Sequence, residues 1–212
     1  MLEKPNFYSV IIGTELLNGR RKDAHFAFLN QQLLSRGWEQ KASFVINDDT
    51  NLMENIFNLI KSEPNSVMFC FGGIGATPDD YTREVAANVF TNGKMEFHEE
   101  AKNRIINQFK EEAYPHRINM AYLPINAKLL TNVVNNVAGF YLEDRFFFTP
   151  GFPSMSQSMI IEALDKCYAK SDIQKYRKVM TINASENDLI DTMQKIPENI
   201  DLSSLPKIIG DK

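Results

Sequence analysis

The chain holds little of what marks several large classes of protein. Only two cysteines occur, Cys70 and Cys167. They are too few and too far apart for a disulfide framework or a thiolate metal site, a usage that suits a reducing cytosol. Cys70 lies in an apolar run and reads as a small buried hydrophobe. The three histidines, His25, His98 and His116, show no metal-ligand spacing, and none is assigned as a ligand. No apolar run approaches membrane-spanning length, and Met1 to Asn6 carries no secretory pattern, so the expectation is a cytoplasmic protein without a membrane partner. Low-complexity tracts and clear repeats are absent. Arg20-Arg21-Lys22 is the single basic triplet in a chain of net charge -4 and pI about 5.5. That balance argues against nucleic acid as a partner, and the triplet itself reads as a solvated turn.

What the 212 residues do contain, 43% hydrophobic and 24% charged, is enough for one full domain with a sizeable core and a small appendage. Phe7 to Ile12 reads as a strand ending in Gly13-Thr14-Glu15. Phe26, Leu29 and Leu33 recur at helical spacing within Asp23 to Ser35, and Gly37 stops the pattern. Phe44 to Ile46 reads as a second strand; a helix carrying Leu52, Ile56 and Leu59 follows Asn47-Asp48-Asp49. Val67 to Phe71 is a third strand, with a helix behind it to about Phe90, and Glu99 to Glu112 is another helix. Ala127 to Thr131, Gly139 to Leu142 and Arg145 to Thr149 look like short strands, and a helix runs from Pro150-Gly151-Phe152-Pro153-Ser154 through Leu164. This alternation predicts an α/β sandwich on a mostly parallel sheet, mixed where residues 139–149 suggest a hairpin. The expected boundary lies near Tyr168: residues 1–168 form the domain, and 169–212 a small α+β appendage with a strand at Val179 to Ile182 and a helix capped by Ser185.

The most informative stretch is Gly72-Gly73-Ile74-Gly75-Ala76-Thr77-Pro78-Asp79-Asp80-Tyr81-Thr82-Arg83-Glu84. Glycines after a buried strand let the backbone turn tightly and approach a ligand closely. Thr77 reads as a helix cap, with Pro78 at the first helical position. Strand, glycine turn and helix start together suit phosphates held on backbone N–H groups. Two carboxylates at that point repel an anion unless a divalent cation lies between. A second reading is structural: acidic residues complement a helix dipole, and Thr77 with Asp80 is close to a capping box. Elsewhere too both readings stand. Asp48 either caps the following helix or acts directly. Glu15 either ligates a metal or bonds its own turn. Ser154 with Gln157 forms a capping-box pattern at a helix start that a phosphate could share. Tyr81 and Phe152 either stack on an aromatic ligand or pack.

Gly13-Thr14-Glu15-Leu16-Leu17-Asn18-Gly19, the Gly72 to Glu84 segment and Pro150-Gly151-Phe152-Pro153-Ser154-Met155, in that order, resemble the molybdopterin-binding-like domain, and most closely the N-terminal domain of competence/damage-inducible protein A (CinA). The resemblance covers about residues 6 to 168. It implies a three-layer α/β/α fold shared with domains of the MoaB/MogA and gephyrin type, in which a pterin phosphate is bound by a pattern that falls here on Asp80, Thr82 and Glu84. For the CinA branch it implies a divalent-metal-dependent pyrophosphatase acting on ADP-ribose or FAD. The chain departs from the family at Ala76, where proline is usual, and at Ala24 and His25, where Thr-Asn is usual.

Together these readings give a set of expectations. Asp48 and Asp80 are the catalytic candidates. Gly13, Thr14, Gly72, Gly73, Gly75, Thr77, Thr82, Glu84, Gly151, Pro153 and Ser154 form the substrate site. Glu15, Asp79 and Asp80 hold a divalent cation, Mg²⁺ or another. The ligand is a nucleotide or a pterin, and the protein self-associates. The reaction is splitting of an adenine dinucleotide-type diphosphate; the alternatives are a molybdopterin-binding nucleotidyl transferase or carrier, and a non-catalytic nucleotide-binding module.

Overall fold

The computed structural model describes residues 2, 4–171 and 176–207. The chain forms two compact units, residues 1–174 and residues 175–212. The first is built on six strands: β1 (Asn6–Ile12), β2 (Gln40–Ile46), β3 (Ser66–Phe71), β6 (Lys128–Leu130), β7 (Gly139–Leu142) and β8 (Phe146–Thr149). They form one sheet of order β2-β1-β3-β8-β7-β6. β1, β2, β3 and β8 run parallel, while β7 is antiparallel to both of its neighbours. The sheet is therefore mostly parallel and mixed at the hairpin.

Strand alternation divides the core into two faces. Met68, Cys70, Phe146 and Phe148 pack with Met53, Phe57 and Ile60 of α3 (Thr50–Ser62) and with Val85, Ala86 and Val89 of α4 (Thr82–Thr91). On the other face Val67, Phe69, Phe71 and Phe147 meet Leu29 and Leu33 of α2 (His25–Ser35) and Met159, Ile160, Ala163 and Leu164 of α6 (Pro153–Cys167). Helices thus cover both faces, the α/β/α arrangement. β3 and β8 are buried at every position, as strands covered on both sides must be. Cross-strand aromatic pairs tie the centre: Phe69 stacks on Phe147 at 4.8 Å and Phe140 on Phe148 at 4.6 Å. Such pairs contribute about 0.5–1.5 kcal/mol each beyond their buried area.

Three local expectations are corrected, and one element is new. In α3 the buried side is Met53, Phe57 and Ile60, one residue on from the expected Leu52, Ile56 and Leu59, of which Leu52 and Leu59 are exposed. The helix after the glycine turn begins at Thr82, with Tyr81 at its cap position, so Thr77 is no cap and Pro78 is not at its first position. Residues Thr77 to Asp80 instead close a separate turn. The helix from Glu99, α5 (Glu99–Phe109), ends before Glu112, since Lys110 has a φ of 54° and cannot continue it. A two-stranded antiparallel ribbon, β4 (Met95–Phe97) with β5 (Tyr122–Pro124), had no periodic signal, because three residues per strand are too few to show one.

In the second unit, α7 (Glu186–Met193) starts at Ser185, whose side chain and that of Asp188 form a reciprocal capping box. Val179 to Ile182, expected as a strand, forms none, and Val179 and Met180 are exposed. β-prone residues need a neighbouring strand to pair with. No helix among the described residues is long and apolar enough to cross a membrane.

Candidate functional site

Parallel strands all present their carboxyl ends at one edge, where open α/β sheets take ligands. The loops after β1, β2, β3 and β8 meet there. The Gly13 N–H donates to Ile46 O at 3.0 Å, joining the ends of β1 and β2. The next residue starts a one-turn helix, α1 (Thr14–Leu17). Thr14 donates to a single oxygen of Asp48, Oδ2, from its N–H at 2.9 Å and from its hydroxyl at 2.7 Å. Asp48 therefore does not cap α3; Asp49 does, accepting from the Leu52 N–H at 2.7 Å. The two adjacent aspartates divide the work, one closing the helix and one tying two strand ends together.

The glycine turn is built by close approach. Gly72 has a φ of 101°, and a Cβ there would lie 2.5 Å from Ile12 O. Gly73, at φ 69°, lies directly over Thr82, whose N–H donates to Gly73 O at 3.0 Å. The Thr82 hydroxyl is fully buried and donates to Gly72 O at 2.9 Å, so it shapes the turn from behind. Arg83, also buried, donates to the carbonyls of Ile74 and Gly75 at 2.5 Å each. Burial pushes its pKa down, and the charges of Asp80 and Glu84 act against that shift. Asp80 Oδ2 accepts from the Thr77 N–H at 2.9 Å and from the Thr77 hydroxyl, reversing the capping direction expected from sequence. Thr82, Arg83 and Asp80 thus hold the loop open from inside, while Thr77, Asp79 and Glu84 stand exposed.

The end of β8 completes the edge. A Cβ on Gly151 would lie 3.3 Å from the Gly72 backbone. α6 begins with Pro153, its preceding position is Phe152, and no side chain caps it. Ser154 is therefore inside the first turn and exposed; its capping-box role with Gln157 is not realised. The unassigned His25 is central here. Its ring stacks on Phe71 at 4.5 Å, and its Nε2 lies 3.3 Å from Gly151 O and Nδ1 3.2 Å from Ser156 Oγ. Burial lowers its pKa, favouring the neutral ring. Asp23 accepts from the N–H groups of His25 and Phe26 at 2.8 and 3.1 Å, starting α2. Beside this ring lies a cavity of about 70 Å³ lined by Glu15, Arg21, Lys22, Asp23, His25 and Gly151, among others. Arg21 and Lys22, read from sequence as a solvated turn, are thus brought against the end of β8, and Arg21 also sits over the Phe152 ring at 5.3 Å. Two cations in a polar sequence run give no periodic signal; only the α1–α2 connection places them.

Among the described residues no three His, Cys, Asp or Glu side chains come close enough together to hold a metal ion. Glu15, Asp79 and Asp80 are accordingly not one ligand set. Glu15 folds under Gly13 and pairs with Arg21 at 3.4 Å, Asp80 is turned into Thr77, and Asp79 stands in solvent. A Mg²⁺ that keeps most of its waters needs only one or two carboxylates from a protein, and Asp79 and Asp80 each carry one.

The family model described as "Probable molybdopterin binding domain" matches residues 9–168, the span that holds all four of these loops. A curated protein of Pyrococcus horikoshii, Protein PH0439, is 28% identical over 218 residues, which cover 95% of this chain and 84% of that protein. A CinA-like protein of Syntrophotalea carbinolica is 29% identical over 210 residues, 93% of this chain and 50% of that longer protein. The crystal structure of CinA from Thermoplasma acidophilum matches with a TM-score of 0.67 at 24% identity, over 76% of this chain and 97% of that one. The likeness read from the three sequence segments agrees with all of these.

Proposed function

This chain belongs to the family of molybdopterin-binding-like domains that includes CinA-like proteins, and we propose that within it the protein is a nucleotide pyrophosphatase acting on a compound such as ADP-ribose or FAD. One observation carries the reading: the glycine turn, the uncapped start of α6 and the cations of Arg21 and Lys22 share one sheet edge, an arrangement suited to two linked phosphates. Backbone N–H groups of the turn and the Ser154 N–H at the start of α6 bind the diphosphate oxygens, and Arg21 and Lys22 neutralise them. Asp48 uses Oδ2 for Thr14, so Oδ1 is the atom that orients a water. Water adds across the P–O–P bridge: its oxygen bonds to one phosphorus, the bridging bond breaks, and the second phosphate leaves with the bond's electron pair, AMP and a second monophosphate being the products. A divalent cation, when bound with the substrate, supplies charge neutralisation and polarises the phosphoryl oxygen. Asp79, exposed beside the turn, and Asp80 are the residues that would meet it.

The experiment is a substrate panel. Full-length protein with ADP-ribose, FAD and ATP, with and without Mg²⁺, should release AMP from the dinucleotide substrates and do so only with the metal. The family match favours a second reading, a molybdopterin-binding protein of cofactor synthesis. Transfer of a nucleotide to molybdopterin without AMP release supports that one. Tight nucleotide binding with no turnover supports a non-catalytic module.

A further inference from the structure

The glycine loop has a second side. Its distal half, with α4, walls a groove of about 410 Å³ whose opposite wall is the β4–β5 ribbon and Asn119. That volume falls within the usual range of small-ligand sites. From the ribbon two aromatic rings face outward, Phe97 at 45% and Tyr122 at 41% exposure, with centroids 5.1 Å apart and planes tilted by 53°. Exposed aromatics in a three-residue ribbon contribute little to the core, and their adjacency in a groove gives an incoming planar ring a face on one and an edge on the other.

The charges around the groove sharpen the assignment. Its charged lining is Asp80, Glu84 and Arg83, two carboxylates against one guanidinium. Arg83 is directed to the carbonyls of Ile74 and Gly75, so the groove carries no cation oriented for phosphate. Phosphates are favoured on the other side, with Arg21 and Lys22, while an uncharged flat group is favoured here. Asn119 adds a carboxamide, which offers a donor and an acceptor side by side, the pair that matches the N6/N7 edge of adenine.

We infer that this groove is a nucleobase subsite: Phe97 and Tyr122 stack the base, Asn119 reads its edge, and the glycine loop, with Asp80 at the boundary, stands between it and the phosphates. The inference rests on the nucleotide reading above and extends it to what selects the substrate. Full-length protein is titrated calorimetrically with AMP and with ribose 5-phosphate, which has a phosphate and no base. In Phe97→Ala and Tyr122→Ala the AMP dissociation constant should rise about tenfold, the order expected for loss of one stacking ring, while ribose 5-phosphate binding stays unchanged. In the wild-type protein, NMR saturation of the aromatic side-chain protons should transfer to adenine H2 and H8, a readout that needs no substitution. Unchanged AMP affinity in both variants, equal loss of AMP and ribose 5-phosphate, or no AMP binding by the wild type overturns the assignment. Ring-dependent AMP binding in a protein that never hydrolyses ADP-ribose retains the subsite and removes the pyrophosphatase; hydrolysis with a KM indifferent to both rings does the reverse.

Discussion

Replacement of Gly72 by alanine tests the geometry on which the whole site depends. At φ 101° the backbone is one that side-chain-bearing residues rarely adopt, and the new Cβ would lie 2.5 Å from Ile12 O. The clash is with main chain of the neighbouring strand, which no rotamer change relieves. The backbone strain costs about 1–3 kcal/mol, and separating two hydrogen-bonded strand ends adds an overpacking cost of about 1–3 kcal/mol. A total near 4 kcal/mol corresponds to a fall in melting temperature of roughly 8–16 °C for a chain of this size. Gly19 supplies the internal control: its φ is 78°, yet nothing lies within 4 Å of its would-be Cβ. Gly19→Ala should show the strain alone, a fall of a few degrees. Thermal unfolding followed by circular dichroism reads both. Equal shifts in the two variants, or a Gly72→Ala protein melting within about 2 °C of wild type, would refute the claim that β1 and the glycine turn are locked by contact.

Asp80→Asn should keep most of the turn, because an amide oxygen can still accept from Thr77, so melting changes by about 1 kcal/mol or less; AMP release from ADP-ribose should fall about a hundredfold if the carboxylate meets the metal-bound diphosphate, and near-normal turnover would leave Asp80 a purely structural group. Burial lowers the pKa of His25, so the unfolded chain protonates first: the stability contributed by the neutral ring is complete above about pH 6.5 and declines as pH falls from there towards the lowered folded pKa. The melting temperature of wild type should therefore drop more between pH 7.5 and pH 5 than that of His25→Gln, and parallel curves would exclude this linkage. Arg21→Ala should raise KM for the diphosphate substrate with little change in kcat, which steady-state kinetics decides; an unchanged KM places the phosphates elsewhere. A fragment of residues 1–174 should melt cooperatively, since both faces of its sheet are covered within it, and light scattering of the full chain tests the expected self-association, a strict monomer at micromolar concentration removing it.

Much of the fold was legible because burial writes itself into strand composition. Val67 to Phe71 and Phe146 to Phe148 are unbroken apolar runs, as strands covered on both faces must be. The helix α2 showed at Leu29 and Leu33, where one side meets the sheet, whereas in α3 the expected side of Leu52, Ile56 and Leu59 lies one residue off the buried Met53, Phe57 and Ile60. Capping was read less well. Thr77, Asp48 and Ser154 each carry a side chain able to cap, and in each case a tertiary contact or a neighbouring residue took over: Asp80 turned back on Thr77, Thr14 took Asp48, and Phe152 with Pro153 opened α6.

The linear order of residues was sufficient to establish the layered α/β architecture, the family likeness and the four loops at the strand ends, because hydrophobic period, glycine and proline act locally. Which side chains share a space was decided by the tertiary structure alone. His25 reaches Gly151 and Ser156 across more than 120 positions, Arg83 turns inward onto its own loop, and Glu15 pairs with Arg21 instead of joining Asp79 and Asp80. The pairing of β4 with β5, which sets Phe97 beside Tyr122, is likewise a long-range event. Distances of this kind follow from how the sheet orders its strands and how the helices pack upon it, and no local periodicity encodes them.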